Sequence, residues 1–133
     1  MVTTPSARML RAVRGATTVE RDEAVLICDA TRELLTTLLA RNEASADDVI
    51  SAFFTVSPDL RSEFPARAAR DLGWDHVAML CSVEMPVPGA IERCVRVLLH
   101  VELPVAQHDV QHTYLGGASS LRPDLRSDDG VTR

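Results

Sequence analysis

The residues of this chain best suited to chemistry are arginines set at odd places. Arg14 closes the largely apolar run 9–13 and is followed by Gly15, Ala16, Thr17 and Thr18, a composition that predicts a turn. Arg96 interrupts an apolar strand, between Val95 and Val97. Arg67 and Arg70 are three apart and share one face of the helix that carries them. Arg122 sits between Leu121 and Pro123. A lone charge in a buried strand costs several kcal/mol, so Arg96 needs an anionic or polar partner. Two partners stay open: a structural ion pair with Glu84 or Glu102, or a small anion taken from solution. A second arginine at a strand end, Arg14, favours the anion. Glu84 is either a solvated strand terminus or an acceptor for a ligand hydroxyl. Tyr114 is either core or a phenol donor to a carboxylate.

Other chemistries find less support. His108 and His112 are four apart and would suit zinc only on a helix, whereas their segment reads as loop into strand and no H-E-x-x-H is present. All four histidines read as surface or structural. Cys81 lies in a strand with no evident histidine partner, and there is no G-x-S-x-G. Gly116-Gly117 lacks the flanking pattern of a phosphate cradle. The cysteines number three, without C-x-x-C spacing, so neither a disulfide framework nor a zinc ribbon is indicated. No metal or cofactor is expected. All 14 basic residues are arginine, which genomic composition alone explains, but the consequence holds: lysine Schiff bases and P-loop lysines are excluded. A cationic site must then be built from arginine, whose planar fork suits carboxylates.

A net charge of −5 argues against nucleic-acid or anionic-membrane partners. The N-terminus lacks the apolar region of a signal peptide, and no run reaches the length of a membrane span. A reduced, cytoplasmic protein is expected.

The elements that must position these residues follow from periodicity. Residues 9–14 read as a first strand. From 22 to 41 the period becomes helical, with Ala24, Ile27, Cys28, Thr31, Leu34, Leu35 and Leu38 on one face and Asp22 as the N-cap. Ser45 to Asp48 has the form of a capping box. Residues 49–56, VISAFFTV, form a buried strand. Pro65 starts a short helix that Gly73 ends. Residues 76–84, 93–103 and 110–115 give three more strands, and 119–125 a last extended piece. The fold expected is α/β (α+β): one small domain over 1–133, with 1–7 and about 126–133 flexible, and a mixed five-stranded sheet with helices on one face. The other face stays uncovered, which predicts an oligomer.

The segments RGATTVERD (14–22), SPDLRSEFPARAARDLGW (57–74), CSVEMPVPG (81–89), CVRVLLHV (94–101) and HTYLGGASSLRPDL (112–125) occur in order. Together they resemble the small monofunctional chorismate mutases of the trimeric mixed α/β class. The resemblance spans about 9–125. It implies a homotrimer whose sheets close into a pseudo-α/β-barrel, with sites in clefts between subunits. It implies the pericyclic [3,3] rearrangement of chorismate to prephenate, on the route to phenylalanine and tyrosine, without metal or cofactor. Carried onto this sequence, it places Arg96 by the ether oxygen, where negative charge develops. Glu84 accepts from the ring hydroxyl, Cys81 contacts that hydroxyl, and the backbone of Leu80, Cys81, Ser82, Val83 and Glu84 lines the pocket. Arg14 and Tyr114 grip the side-chain carboxylate. Phe64, Ala66, Arg67, Arg70, Leu121 and Arg122 form a mobile rim, partly from a neighbouring subunit. The alternative is a non-catalytic trimer that binds a small anion and regulates.

Overall fold

A computed structural model describes residues 7–120. The expected flexible ends, save residue 7, lie outside that range, as do Leu121 and Arg122. The elements are β1 (Met9–Thr18), α1 (Ala24–Arg41), β2 (Val49–Val56), α2 (Ala66–Asp71), β3 (Ala78–Val83), β4 (Cys94–Leu103) and β5 (Thr113–Tyr114). They form one sheet in the order β3-β2-β4-β1-β5. Strand β4 runs antiparallel to β1 and β2, while the edge strands β3 and β5 pair in parallel with β2 and β1. The sheet is mixed and five-stranded, as the periodicity predicts.

The strand period of two separates the two faces. On β4, Val95, Val97, Leu99, Val101 and Leu103 are buried, while Arg96, Leu98 and His100 between them are half-buried. The first set meets Ile27, Leu34, Leu35 and Leu38 of α1 and the buried alanines of α2. Truncating any of these α1 leucines to alanine would cost about 2–5 kcal/mol. The second set faces away from both helices, so β4 carries a charged face where the sequence reads as apolar on nearly both sides.

Strand β1 does not turn after Arg14. It stays in register with β4 as far as Thr18, so Arg14 lies within the strand, not at its end. Gly15 is therefore no turn residue: a Cβ there would sit 2.7 Å from Leu38 Cδ1 and 3.1 Å from Leu34 Cδ1. It is small because α1 lies directly on it. Nor does Asp22 cap α1. Its Oδ1 accepts the backbone N–H groups of Arg61 and Ser62 at 2.9 and 3.0 Å, fastening the loop before α2 to the loop before α1. Glu23 holds the N-cap position and pairs with Arg21 at 2.8 Å. Ala24 is exposed and Cys28 half-buried, at the margin of the core rather than within it.

The last strand is shorter than expected, because side chains replace it along the edge of β1. The Gln107 amide accepts from Ala12 N–H at 3.0 Å and donates to Ala12 C=O at 2.7 Å. Two residues on, Arg14 N–H donates to His112 Nδ1 at 3.0 Å. Only Thr113 and Tyr114 then need to pair as backbone. The Ser45–Asp48 capping box is present, and Gly73 follows α2 with φ +85°.

These contacts make two predictions. Gly15→Val should destabilise the fold by about 1–3 kcal/mol by overpacking α1, read from the denaturant midpoint. The N–H of Arg61, and then the hydroxyl and N–H of Ser62, hold the Asp22 carboxyl below its ordinary pKa. A depressed folded pKa adds stability above the ordinary carboxylate range, and that stability is lost as pH falls through the folded value. In urea titrations from neutral to acid pH, Asp22→Asn should therefore lose stability less steeply than the parent chain.

Candidate active site

The open face of the sheet carries two register rows that bring the charged residues together. One row runs Leu80, Phe53, Leu98, Arg14 across β3, β2, β4 and β1. The next runs Ser82, Thr55, Arg96, Ala16, Tyr114 across all five strands. Residues directly opposite in a ladder point to the same side, so Arg14 and Arg96 stand on one face on neighbouring strands. Glu84 follows β3 by one residue, with its N–H bound to Val56 C=O at 2.9 Å, and the alternation puts its side chain on that face too.

These residues surround a cleft of about 280 Å³, lined by Arg14, Phe53, Thr55, Glu84, Arg96 and Tyr114 with the backbone of β1 and β4. Its polar groups are only partly matched. Glu84 Oε2 lies 3.7 Å from Arg96 Nε, and both side chains are about one-third exposed. At that separation the pair is loose: a charge-assisted N–H···O⁻ bond closes to about 2.7–2.9 Å. Arg96 Nε is buried with no hydrogen-bond partner among the described residues. The Tyr114 hydroxyl is likewise unpartnered, on a residue only 6% exposed. The Arg14 guanidinium makes no ion pair or hydrogen bond with another described residue. Unmatched buried donors are costly to leave unmade, so Arg96 Nε and the Tyr114 hydroxyl are both short of an acceptor on this face.

Glu84 is the counter-charge of Arg96, and a donor is left over. Tyr114 belongs to the core, with its hydroxyl unpartnered. Its ring packs with Ala16, Cys94 and Ala118, a small apolar cluster on the open face. The turn Gly116–Ser120 folds over this cluster, so the glycine pair leads into a turn of helix. Burial pushes the Cys94 thiol up, with the neighbouring Arg96 charge acting in the opposite direction. Glu84 and Arg96 also line a wider hollow of about 560 Å³ beneath the 85–91 loop.

Other expected site residues stand elsewhere. Cys81 and Val83 point to the helix side of β3, opposite Glu84, and with Ser82 and Phe64 they line a second cleft of about 310 Å³. Leu80 is on the open face, in the Arg14 row and 71% exposed. Arg67 is exposed and pairs with Glu63 and Asp71, each at 3.4 Å. Arg70 is exposed on the same helix. Ala66 is 5% exposed and packs in the main core. Leu121 and Arg122 lie outside the described residues. His108, on an exposed turn, and His112, an acceptor for Arg14 N–H, form no metal site, and no group of three or more metal-ligating side chains comes together among the described residues. No helix among them is long and apolar enough to cross a membrane.

The sequence reading missed Thr55 and Phe53, which reach the Arg14–Arg96 region only through strand register, a relation no local pattern encodes. It took His112 as surface or structural and missed its bond to Arg14 N–H.

The family model for chorismate mutase type I matches residues 10–125. The chain is 42% identical over 118 residues to chorismate mutase AroH of Bacillus subtilis (strain 168), covering 88% of this chain and 93% of that protein. It is 46% identical over 120 residues to chorismate mutase AroH of Thermus thermophilus, covering 90% and 98%. A solved chorismate mutase from Clostridium thermocellum, Cth-682, superposes with a TM-score of 0.80 at 44% identity, over 81% of this chain and 96% of that one. Identity at this level, across a match that spans nearly all of the sheet, shows that the chain belongs to the chorismate mutase type I family.

Proposed function

We propose that this chain is a chorismate mutase, converting chorismate to prephenate in aromatic amino-acid biosynthesis in the cytoplasm, and that it works as a homotrimer. One observation carries the proposal: in a chain of this family, Arg14, Glu84, Arg96 and Tyr114 converge on one cleft that leaves Arg96 Nε and the Tyr114 hydroxyl unmatched. The rearrangement is unimolecular, so catalysis reduces to holding the substrate in a compact chair and stabilising the charge that separates. As the C–O bond lengthens, negative charge grows on the ether oxygen and positive charge on the ring. Arg96 supplies the donor for the first, and Glu84 accepts from the ring hydroxyl beside the second. Arg14 and Tyr114 grip the side-chain carboxylate and fix its orientation. Both arginines are rooted in central strands, which keeps their geometry rigid.

The homotrimer is favoured by what this cleft lacks. Phe64 and Cys81 lie on the other side of the edge strand, so one chain does not bring them to the same ligand as Arg14. A second copy would supply them, together with Arg67, Arg70, Leu121 and Arg122. The uncovered face also exposes Leu80 and Phe53 in one row, an apolar pair that association would bury.

Loss of chorismate absorbance with the purified chain tests the activity. Arg96→Ala should lower kcat by roughly 10²-fold or more with the fold intact, and Arg96→Lys should also be severely impaired because a point charge does not reproduce the planar fork. Full activity in Arg96→Ala would exclude the mechanism, and tight binding of chorismate without turnover would instead favour an anion-binding regulator. Light scattering should give three times the 14.5 kDa chain mass; a fully active monomer would refute the shared site.

A further inference from the structure

We propose that Thr55 is a positioning residue that holds the Glu84 carboxylate off the Arg96 guanidinium, so that both charges stay available to the substrate; this rests on the chorismate mutase activity proposed above. Thr55 lies directly opposite Arg96 on β4 and opposite Ser82 on β3, in the row that ends at Tyr114. Its Oγ1 donates to Glu84 Oε2 at 2.5 Å. The same oxygen is the one that stands 3.7 Å from Arg96 Nε. Oε2 is thus engaged by the hydroxyl, while Oε1 has no hydrogen-bond donor among the described residues and is free for a ligand hydroxyl.

What the hydroxyl prevents follows from the charges. Arg96 Nε is a buried donor without a partner, and Glu84 is the anion nearest to it. Nothing in the covalent geometry stops the carboxylate from closing the gap. The Glu84 backbone is tied to Val56, but its side chain has several rotatable bonds. A closed Arg96–Glu84 pair would be shorter and stronger, and would neutralise the cation that the ether oxygen needs. The Thr55 hydroxyl is the group that competes for the carboxylate. It is well suited to do so, because a β-branched side chain in a central strand has little χ1 freedom. A charge-assisted bond from a rigid donor therefore competes with the bond that would quench Arg96.

The test is steady-state turnover of chorismate by the full chain and its variants. Thr55→Val keeps the shape and removes the hydroxyl; it should lower kcat about tenfold to a hundredfold, with a smaller change in KM. Thr55→Ala should behave alike, without placing a second methyl in a half-buried position. Thr55→Ser restores the donor and should stay within about threefold of the parent. In a Glu84→Ala background, Thr55→Val should cost nothing further, because Thr55 acts only through Glu84; a merely structural role would add its full loss there too. Parental kcat in Thr55→Val and Thr55→Ala overturns the proposal, as does a Thr55→Ser variant as poor as Thr55→Val, or a full additive loss in the Glu84→Ala background. An active parent beside an unimpaired Thr55→Val sinks this proposal alone, whereas a parent that leaves chorismate unchanged sinks the activity and the proposal together.

Discussion

In the proposed mechanism Arg96 has to keep its charge available to a ligand while sitting in the central strand of a folded sheet, and those two demands oppose each other. Burial asks for a close counter-ion, and a close counter-ion cancels the charge. The compromise is Glu84 at 3.7 Å on a half-exposed face. The rest of the architecture serves that compromise. Both helices lie on the other face, so no apolar layer drives the guanidinium to full neutralisation. Two neighbours in the sheet, β1 and β2, bring Arg14 and Thr55 to the same side at spacings set by ladder geometry.

The helix side shows what keeps that face in place. Strand β1 lies close under α1 beside Arg14, where Gly15 leaves no room for a Cβ against Leu38. The outer edge of β1 is finished by Gln107 and His112, whose side chains take the backbone groups that a longer β5 would have bonded. His112 thereby fixes the residue on which Arg14 is mounted. Tyr114 is brought in by a two-residue strand and a small apolar cluster.

Much of this was legible from residue order, and the failures are instructive. The amphipathic stripe of α1 and the apolar runs of β2 and β4 named their elements correctly, because period and composition are local properties. Arg96 announced itself as a charge in an apolar strand. Gly15 misled, because glycine marks turns in sequence and close packing in space, and only the position of Leu38 separates the two. Asp22 misled for a similar reason: a carboxylate before a helix reads as a cap, but it found the donors of a distant loop first. Cys81 and Glu84 lie close in sequence yet point to opposite sides of β3 and line different clefts, which their spacing in the sequence does not reveal. Thr55 gave no signal at all, since its meaning depends on lying opposite Arg96.

The pairing of β1 with β4 and β5 has a consequence for how the protein is made. The strand that carries Arg14 precedes both strands that flank it in the order of synthesis, and most of the described chain lies between them. Until they emerge, β1 has two unpaired edges and an apolar side with no stable sheet to join. Such long-range pairing makes folding slow and leaves the nascent chain open to wrong partners. The cationic face would then be assembled only when β4 docks on β1, so that a chain cut before β4 carries Arg14 with no Arg96 beside it.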